Sequence, residues 1–375
     1  MRILVTAAAL LVGAATARSM PSLSIAYHCD DHAAPLFDAC LYPSDFRARY
    51  GLNLRQVDER ESYSLLDRGR STLSLKLTGF RTDSEVLDAV LSGSAQVGIL
   101  ESEEVLGAVL KGLPVRIVAP LQRAEDFLEA DSAVPAKDWG EFIDWVRARA
   151  KPTVVWYIGR YPMAVLGFMQ ALEYEHLKYA TDVRGLPSNP ESVKVRLVPV
   201  DDLAALAAGL SARACDAALL PEPSAARVEH QGWRRLARTD ILPPGRFEDH
   251  PGTVIIATDS AIRRGGDDIN RFLELMAVAS HYANIRTRNT LAAVCRWLGT
   301  SPELESVALS GMGFSSRPDI AFTTGIWNWY FTLRLRNAVP PRLAGYMEEQ
   351  DWLGVPYDSL LLAPALDRAG ARIIR

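Results

Sequence analysis

The chain reads as a two-lobed α/β protein, each lobe a mainly parallel sheet flanked by helices, with a helical C-terminal extension. Two stretches repeat one pattern. The helical spacing of Val86, Leu87, Val90 and Leu91 meets Ser92-Gly93, then the apolar run Val97-Gly98-Ile99-Leu100, then Glu101-Ser102-Glu103. Leu203, Leu206 and Leu210 likewise precede Ala217-Ala218-Leu219-Leu220 and Pro221-Glu222-Pro223. A short continuous apolar run marks a buried parallel strand, and the polar residues at its C-terminal end fall where open α/β sheets bind ligands. Length is the third observation: 375 residues exceed what one core usually supports, so two lobes facing one cleft are expected.

At the N-terminus, Met1-Arg2 and the apolar stretch 3–15 suit the core of a signal peptide and fall short of a bilayer span. Ala15-Thr16-Ala17 offers a small-x-small cleavage pattern, so residues 1–17 are expected to be a signal peptide and the mature chain to start at Arg18. A first dinucleotide-binding strand is the alternative, but the turn that approaches a pyrophosphate needs glycines, and Ala7, Ala8 and Ala9 stand there instead. With no lipobox cysteine following the apolar core, a soluble periplasmic product is expected rather than a lipoprotein. The remaining composition is ordinary: 49% hydrophobic, 23% charged, formal net charge −4. A balance this mild carries no electrostatic footprint for nucleic acid.

Along the mature chain, residues 23–27 read as a first strand ending in the polar loop 28–32, followed by a helix over 33–50 that Gly51 stops. Residues 52–57 alternate as a second strand, 58–72 are charge-rich and read as a surface excursion, and 73–80 alternate again. Residues 114–119 supply a further strand. Residues 125–137 lack periodicity, which places a crossover between lobes there. The second lobe then reads as an amphipathic helix (139–150), a strand (152–158), a helix (162–177) and a strand (193–200), with Asp201 or Asp202 capping the helix that opens its repeat. Pro243-Pro244-Gly245 interrupts both periodicities, and 254–258 reads as a strand rejoining the first lobe. From 267 onward the pattern is helical, at 267–286, 288–299, 302–311, 319–337 and 339–349. The expected division is 18–124 with 246–375 for lobe 1 and 125–245 for lobe 2.

Four cysteines, Cys29, Cys40, Cys215 and Cys295, allow three complete pairings. Cys29 and Cys40 are closest in sequence and are candidates for a bridge from the first loop to the first helix. Cys215 and Cys295 sit in apolar surroundings, where buried thiols are the ordinary outcome.

The order of these elements resembles the solute-binding proteins of ABC importers for sulfonate, nitrate, taurine and thiamine-pyrimidine precursors. The resemblance rests on Ala34-Pro35-Leu36-Phe37, Tyr50-Gly51-Leu52, Leu87 to Gly93 leading into Val97-Gly98-Ile99, Lys111-Gly112-Leu113-Pro114-Val115, and Cys215-Asp216-Ala217-Ala218 with Glu222-Pro223. It implies a type II periplasmic-binding-protein-like fold whose lobes close on a ligand, and a loaded form handed to an inner-membrane permease. The departures fall at ligand-facing positions: Pro221 stands where an aromatic often precedes the Glu-Pro pair, and the first loop is His28-Cys29-Asp30-Asp31-His32. The cargo is therefore not carried over.

Candidate ligand contacts follow from strand ends and helix starts, where free backbone N–H groups attract polar groups. The first are His28, Asp30, Asp31 and His32. Their residue types can bind metal, yet adjacent residues rarely converge on one tetrahedral site, so ligand contact or loop structure is the expectation and no metal is expected. Glu101 and Ser102 face the cleft or cap the next helix, both ordinary readings. Arg160 and Tyr161 join a strand to a helix at a junction that the resemblance puts at the cleft; an arginine there can hold a carboxylate or sulfonate and a tyrosine can stack on an apolar ligand. Glu222 is held between two prolines, ready for a hydroxyl or amine or merely ending its strand. Trp327, Trp329 and Tyr330 read as core. Acids at 30, 31, 101, 103 and 222 with Arg160 as the obvious cation fit an amine, polyol or zwitterion better than an oxyanion.

The leading expectation is a monomeric periplasmic solute-binding protein with no cofactor and no catalytic residues, partnered by a small-molecule ligand and an ABC permease. Two alternatives use the same scaffold: an enzyme related to pyrimidine-precursor synthases, in which His28 or His32 acts chemically, and a sensor or carrier outside transport. No Ser/His/Asp or Cys/His constellation is recognisable from spacing.

Overall fold

The computed structural model describes residues 20–123, 126–158, 162–181, 193–200 and 203–374. The expected signal peptide at 1–17 lies outside them, as do Asp201 and Asp202. Two sheets organise the chain. The first has the order β2-β3-β4-β1-β5-β13-β6, where β1 is Ser22–His28, β2 Leu52–Asp58, β3 Ser62–Asp67, β4 Arg70–Phe80, β5 Val97–Glu101, β6 Val115–Pro120 and β13 Thr253–Thr258. The second has the order β12-β7-β11-β8-β10-β9, from β7 Asp126–Ala130, β8 Thr153–Ile158, β9 Tyr179–Thr181, β10 Val195–Val200, β11 Ala217–Pro221 and β12 Arg234–Arg238.

In the first sheet β1 lies parallel between β4 and β5, and β13 returns antiparallel between β5 and β6. Its central strands read as apolar runs because both faces are covered: Ile25, Val97, Ile99, Ile255 and Ile256 are all buried. Gly98 permits this packing, since a Cβ there would lie 2.9 Å from both Ile256 Cγ1 and Val90 Cγ2. The second sheet is parallel through β11-β8-β10-β9 and antiparallel at β12-β7-β11.

Several elements differ from the sequence reading. The charge-rich stretch 58–72 contains β3, which pairs with β2 and β4 and buries Tyr63 and Leu65; a tight turn at Arg68 (φ 48) and Gly69 (φ 81) closes the β3–β4 hairpin. The helix expected over 33–50 is split into Ala34–Leu41 and Pro43–Tyr50, because Pro43 offers no N–H and starts a new helix. Strand β7 lies in the stretch 125–137 read as lacking periodicity, and β12 is a strand that the sequence reading did not contain. Near the C-terminus, 339–349 carries Pro340 and Pro341 and forms turns, while helices Glu349–Leu353 and Ser359–Ile373 follow.

Two crossovers join the sheets, from β6 to β7 and from β12 to β13, and they bond to each other. Leu121 N–H donates to Thr253 O (3.0 Å), Gly252 N–H to Gln122 O (3.0 Å) and Thr239 N–H to Asp126 O (2.8 Å). The C-terminal helices pack on the first sheet and also reach the second lobe. Helix Pro302–Ala308 contacts Ser224–Glu229, and Ile320–Leu335 contacts Met163–Tyr174 through Gln170 Nε2 to Thr332 Oγ1 (2.9 Å). Trp329 and Tyr330 are core residues, with Tyr330 stacked on Trp352. Among the described residues no helix is long and apolar enough to cross a membrane.

Candidate functional site

The end of β1 delivers His28, and a short 3-10 turn at Asp31–Ala33 carries the chain into the following helix. The two histidines of this loop point their Nδ1 atoms at the same acid. Asp30 Oδ2 lies 2.9 Å from His28 Nδ1 and 3.7 Å from His32 Nδ1. Asp83, from the helix after β4, stands 3.2 Å from His28 Nδ1, and its Oδ1 accepts the Glu101 N–H at 3.2 Å. Glu101, at the end of β5, meets His32 Nδ1 at 2.6 Å and accepts from Thr253 Oγ1 at 3.0 Å. The ends of β1, β5 and β13 are thus tied by one polar network.

Burial works against charge on His28, but the Asp30 and Asp83 carboxylates outweigh it and hold the imidazole up at about 12. Burial likewise opposes charge on His32, and Asp30, Glu101 and Asp31 raise it well above the usual histidine range. Asp30, against its own desolvation, is held below the usual carboxylate range by the two imidazoliums. Asp31 goes the other way: fully buried, and facing Asp30, Glu305 and Glu222, it is pushed up to about 8 against the pull of His32. Burial also raises Glu305, which sits beside Thr300, Arg227 and Asp31.

On the second lobe, β11 ends at Pro221 and leads to Glu222, which is buried. Both its oxygens are engaged within that lobe: Oε1 accepts from Arg235 Nη2 at 2.7 Å and Oε2 from the Ala226 N–H at 3.0 Å, at the start of helix Ser224–Glu229. Arg235 also donates to the fully buried Glu129 at 3.0 Å. The lobes meet directly at Glu103. Its Oε1 accepts the N–H of Met163, the first residue of helix Met163–Tyr174, at 3.1 Å. Burial, with Glu101 and Asp126 close by, pushes the Glu103 carboxyl well above the usual carboxylate range, against the pull of that N–H.

The structure therefore brings His28, Asp30, Asp31, His32 and Glu101 together, with Glu222 across the lobe boundary from Asp31. Ser102 is fully buried and donates to Pro251 O at 2.7 Å, so it ties its strand end to the crossover. Arg160 and Tyr161 lie outside the described residues. Asp83, Thr253 and Glu305 are not among the residues singled out from the sequence, and Glu103 was placed among the pocket acids without its partner, since acids in a first helical turn read as ordinary capping. The signal for Glu103 was Pro162, which stands at the helix start and has no side chain able to cap it.

The set of free acids expected from composition is corrected: Asp30 and Glu101 are balanced by histidines, and Glu222 by Arg235. Cys29 and Cys40 do not bridge. Cys40 is buried in the core and Cys29 is exposed, and all four cysteines are free thiols. Among the described residues no group of three or more His, Cys, Asp or Glu side chains could hold a metal ion. A cavity of about 340 Å³ lies away from this face, between β2, β3 and helices Asp259–Ile285 and Ser359–Ile373. Within it Glu274 holds both Arg368 (2.5 Å) and Arg372 (2.6 Å).

No protein-family model matches the chain. An uncharacterized protein of Methanocaldococcus jannaschii is 27% identical over 103 residues, 27% of this chain and 71% of that protein. The ligand-binding component of an ABC-type import system from Staphylococcus aureus, solved with zinc bound, superposes with TM-score 0.66 at 14% identity, covering 92% of this chain and 99% of its own. The periplasmic nitrate-binding protein of Synechocystis PCC 6803 superposes with TM-score 0.64 at 12% identity, covering 95% and 91%. The chain has the two-lobed α/β fold of periplasmic binding proteins, extended by C-terminal helices.

Proposed function

We propose that the chain is the solute-binding component of an ABC importer, exported by residues 1–17 to the periplasm, where it acts as a monomer and delivers a small organic solute to an inner-membrane permease. Lobe 1 comprises 18–124 and 246–375, and lobe 2 comprises 125–245. The observation that carries this reading is the opposition of strand ends: the β1 and β5 termini of one sheet meet the start of Met163–Tyr174 and the Glu222 loop of the other, beside two mutually bonded crossovers. Such crossovers can absorb the backbone change of a hinge. Closure would be driven by contacts the solute makes only in the closed state.

The ligand side chains we assign are His28, Asp30, Asp31, His32 and Glu101, with Arg160 and Tyr161 contributed by the other lobe; Ser102 and Glu222 support them from behind. A general-base role for His28, as an enzyme on this scaffold would need, is disfavoured, because an imidazole held at about 12 keeps its proton. Calorimetric titration of the purified protein against small amines, amino acids, polyols and sulfonates tests the reading. Saturable one-to-one binding of one class supports it, and turnover of any compound without stable binding contradicts it.

A further inference from the structure

Helix Met163–Tyr174 begins without a cap of its own. Pro162 occupies the N-cap position and makes no side-chain cap hydrogen bond, and the Val165 and Leu166 N–H groups turn back to Pro162 O at 3.1 and 3.2 Å. A helix start of this kind, at the boundary between the lobes, is a natural seat for an anion or any strong acceptor. The acceptor found there belongs to the protein. Glu103 Oε1, carried by the first turn of helix Ser102–Lys111 in the other lobe, takes the Met163 N–H at 3.1 Å, while Ser102 Oγ lies 3.4 Å from its second oxygen.

We propose that Glu103 is a resident occupant of the acceptor position in the cleft: it biases the lobes toward closure before any solute arrives, and it restricts the cargo to cationic or neutral polar molecules by denying that helix start to anions. This rests on the solute-capture reading and narrows its substrate class. Three features of the geometry converge on it. The bond joins the two lobes rather than two parts of one lobe. It satisfies a donor that the local sequence leaves unmet. The nearest acids, Glu101 and Asp126, add negative potential on the same side and disfavour a second anion there. A sulfonate or nitrate group entering there would have to displace a carboxyl that belongs to the same chain and so competes intramolecularly.

The test compares the full-length wild type with Glu103→Ala and Glu103→Asp, the latter one methylene too short to reach, by small-angle scattering without solute and by calorimetric titration with methanesulfonate and with methylammonium. The expected results are a larger radius of gyration for both variants, and methanesulfonate association at least tenfold stronger in Glu103→Ala than in wild type. Should Glu103→Ala fail to fold, Glu103→Asp carries the scattering arm and Glu103→Gln, which keeps an acceptor, is expected to stay as compact as wild type. An unchanged radius in the folded variants, or wild type binding methanesulfonate as tightly as Glu103→Ala, overturns the proposal while leaving solute capture standing. Expansion of the variants with no solute bound by wild type would instead count against capture and not against the inter-lobe bond.

Discussion

His32 Nδ1 and Glu101 Oε1 stand 2.6 Å apart and join the loop after β1 to the end of β5. The contact brings a cation to the one place on this lobe where Asp30, Asp31 and Glu101 converge, so its value lies in balancing several acids at once. Removing one member of a buried ion pair leaves the other without compensation, which typically costs about 3 kcal/mol or more. His32→Ala is therefore expected to lower unfolding stability by about 3 kcal/mol, read from urea denaturation followed by circular dichroism. A loss below 0.5 kcal/mol, roughly the scale of a neutral surface change, would contradict the network.

Glu222 gives a sharper contrast between ligand contact and support. Because its oxygens already hold Arg235 and the Ala226 N–H, Glu222→Ala should destabilise the second lobe by about 3 kcal/mol, and Arg235→Ala should cost at least as much, since it also leaves the buried Glu129 uncompensated. The double variant should lose less than the sum of the two single losses, since both remove the Glu222–Arg235 contact, although Arg235→Ala also strips Glu129 of its partner. A double-mutant cycle by chemical denaturation checks this; full additivity would show that Glu222 and Arg235 act independently.

Asp31 makes stability depend on pH. Its folded value, about 8, lies above the ordinary 3.8, so the native state binds the extra proton and the stabilisation is fully present only below about pH 4. It declines as pH rises and is gone above about pH 8. The charge that appears is buried and faces Asp30, Glu305 and Glu222, which opposes the folded state. His28, raised from 6.5 to about 12, adds a decline of the same sign at higher pH. Denaturant midpoints measured from pH 5 to pH 9 should fall in the wild type and fall less steeply in Asp31→Asn; equal slopes would remove Asp31 as the source.

Gly325 sets how closely helix Ile320–Leu335 approaches the second crossover. A Cβ there would lie 2.8 Å from His250 Cβ and Pro251 Cδ and 3.0 Å from His250 Cα. Gly325→Ala must therefore shift backbone, at a cost of about 1 to 3 kcal/mol. A lowered melting temperature with secondary structure retained is the expected result, and a neutral or stabilising effect would show that the helix and crossover can move apart freely.

What the sequence made legible follows from how each segment meets solvent. β1, β5, β11 and β13 are covered on both faces and so appear as apolar runs. β7 and β12 were illegible because they carry Glu129, Arg234, Arg235 and Arg238; the fully buried Glu129 is tolerated only through Arg235, a partner distant in sequence. The helix break at Pro43 was readable from Pro43 itself, whereas the hairpin at 62–70 was hidden by charges that lie on its exposed side. In the site, His28 to His32 and Glu101 were found because they end strands. Glu103 was counted among the pocket acids, but its partner was not foreseen, because Met163 offers only a backbone N–H, which no side-chain pattern reveals.

The central claim is that one solute is held between the two sheets at their facing strand ends. Hydrogen exchange of the amides with and without a saturating amount of the tightest-binding solute from the calorimetric panel tests it most directly. Added protection is expected in both lobes together, at 28–32 and 101–103 and at 162–166 and 221–226. Protection confined to one lobe, or centred on the cavity beside Glu274, Arg368 and Arg372, would contradict it.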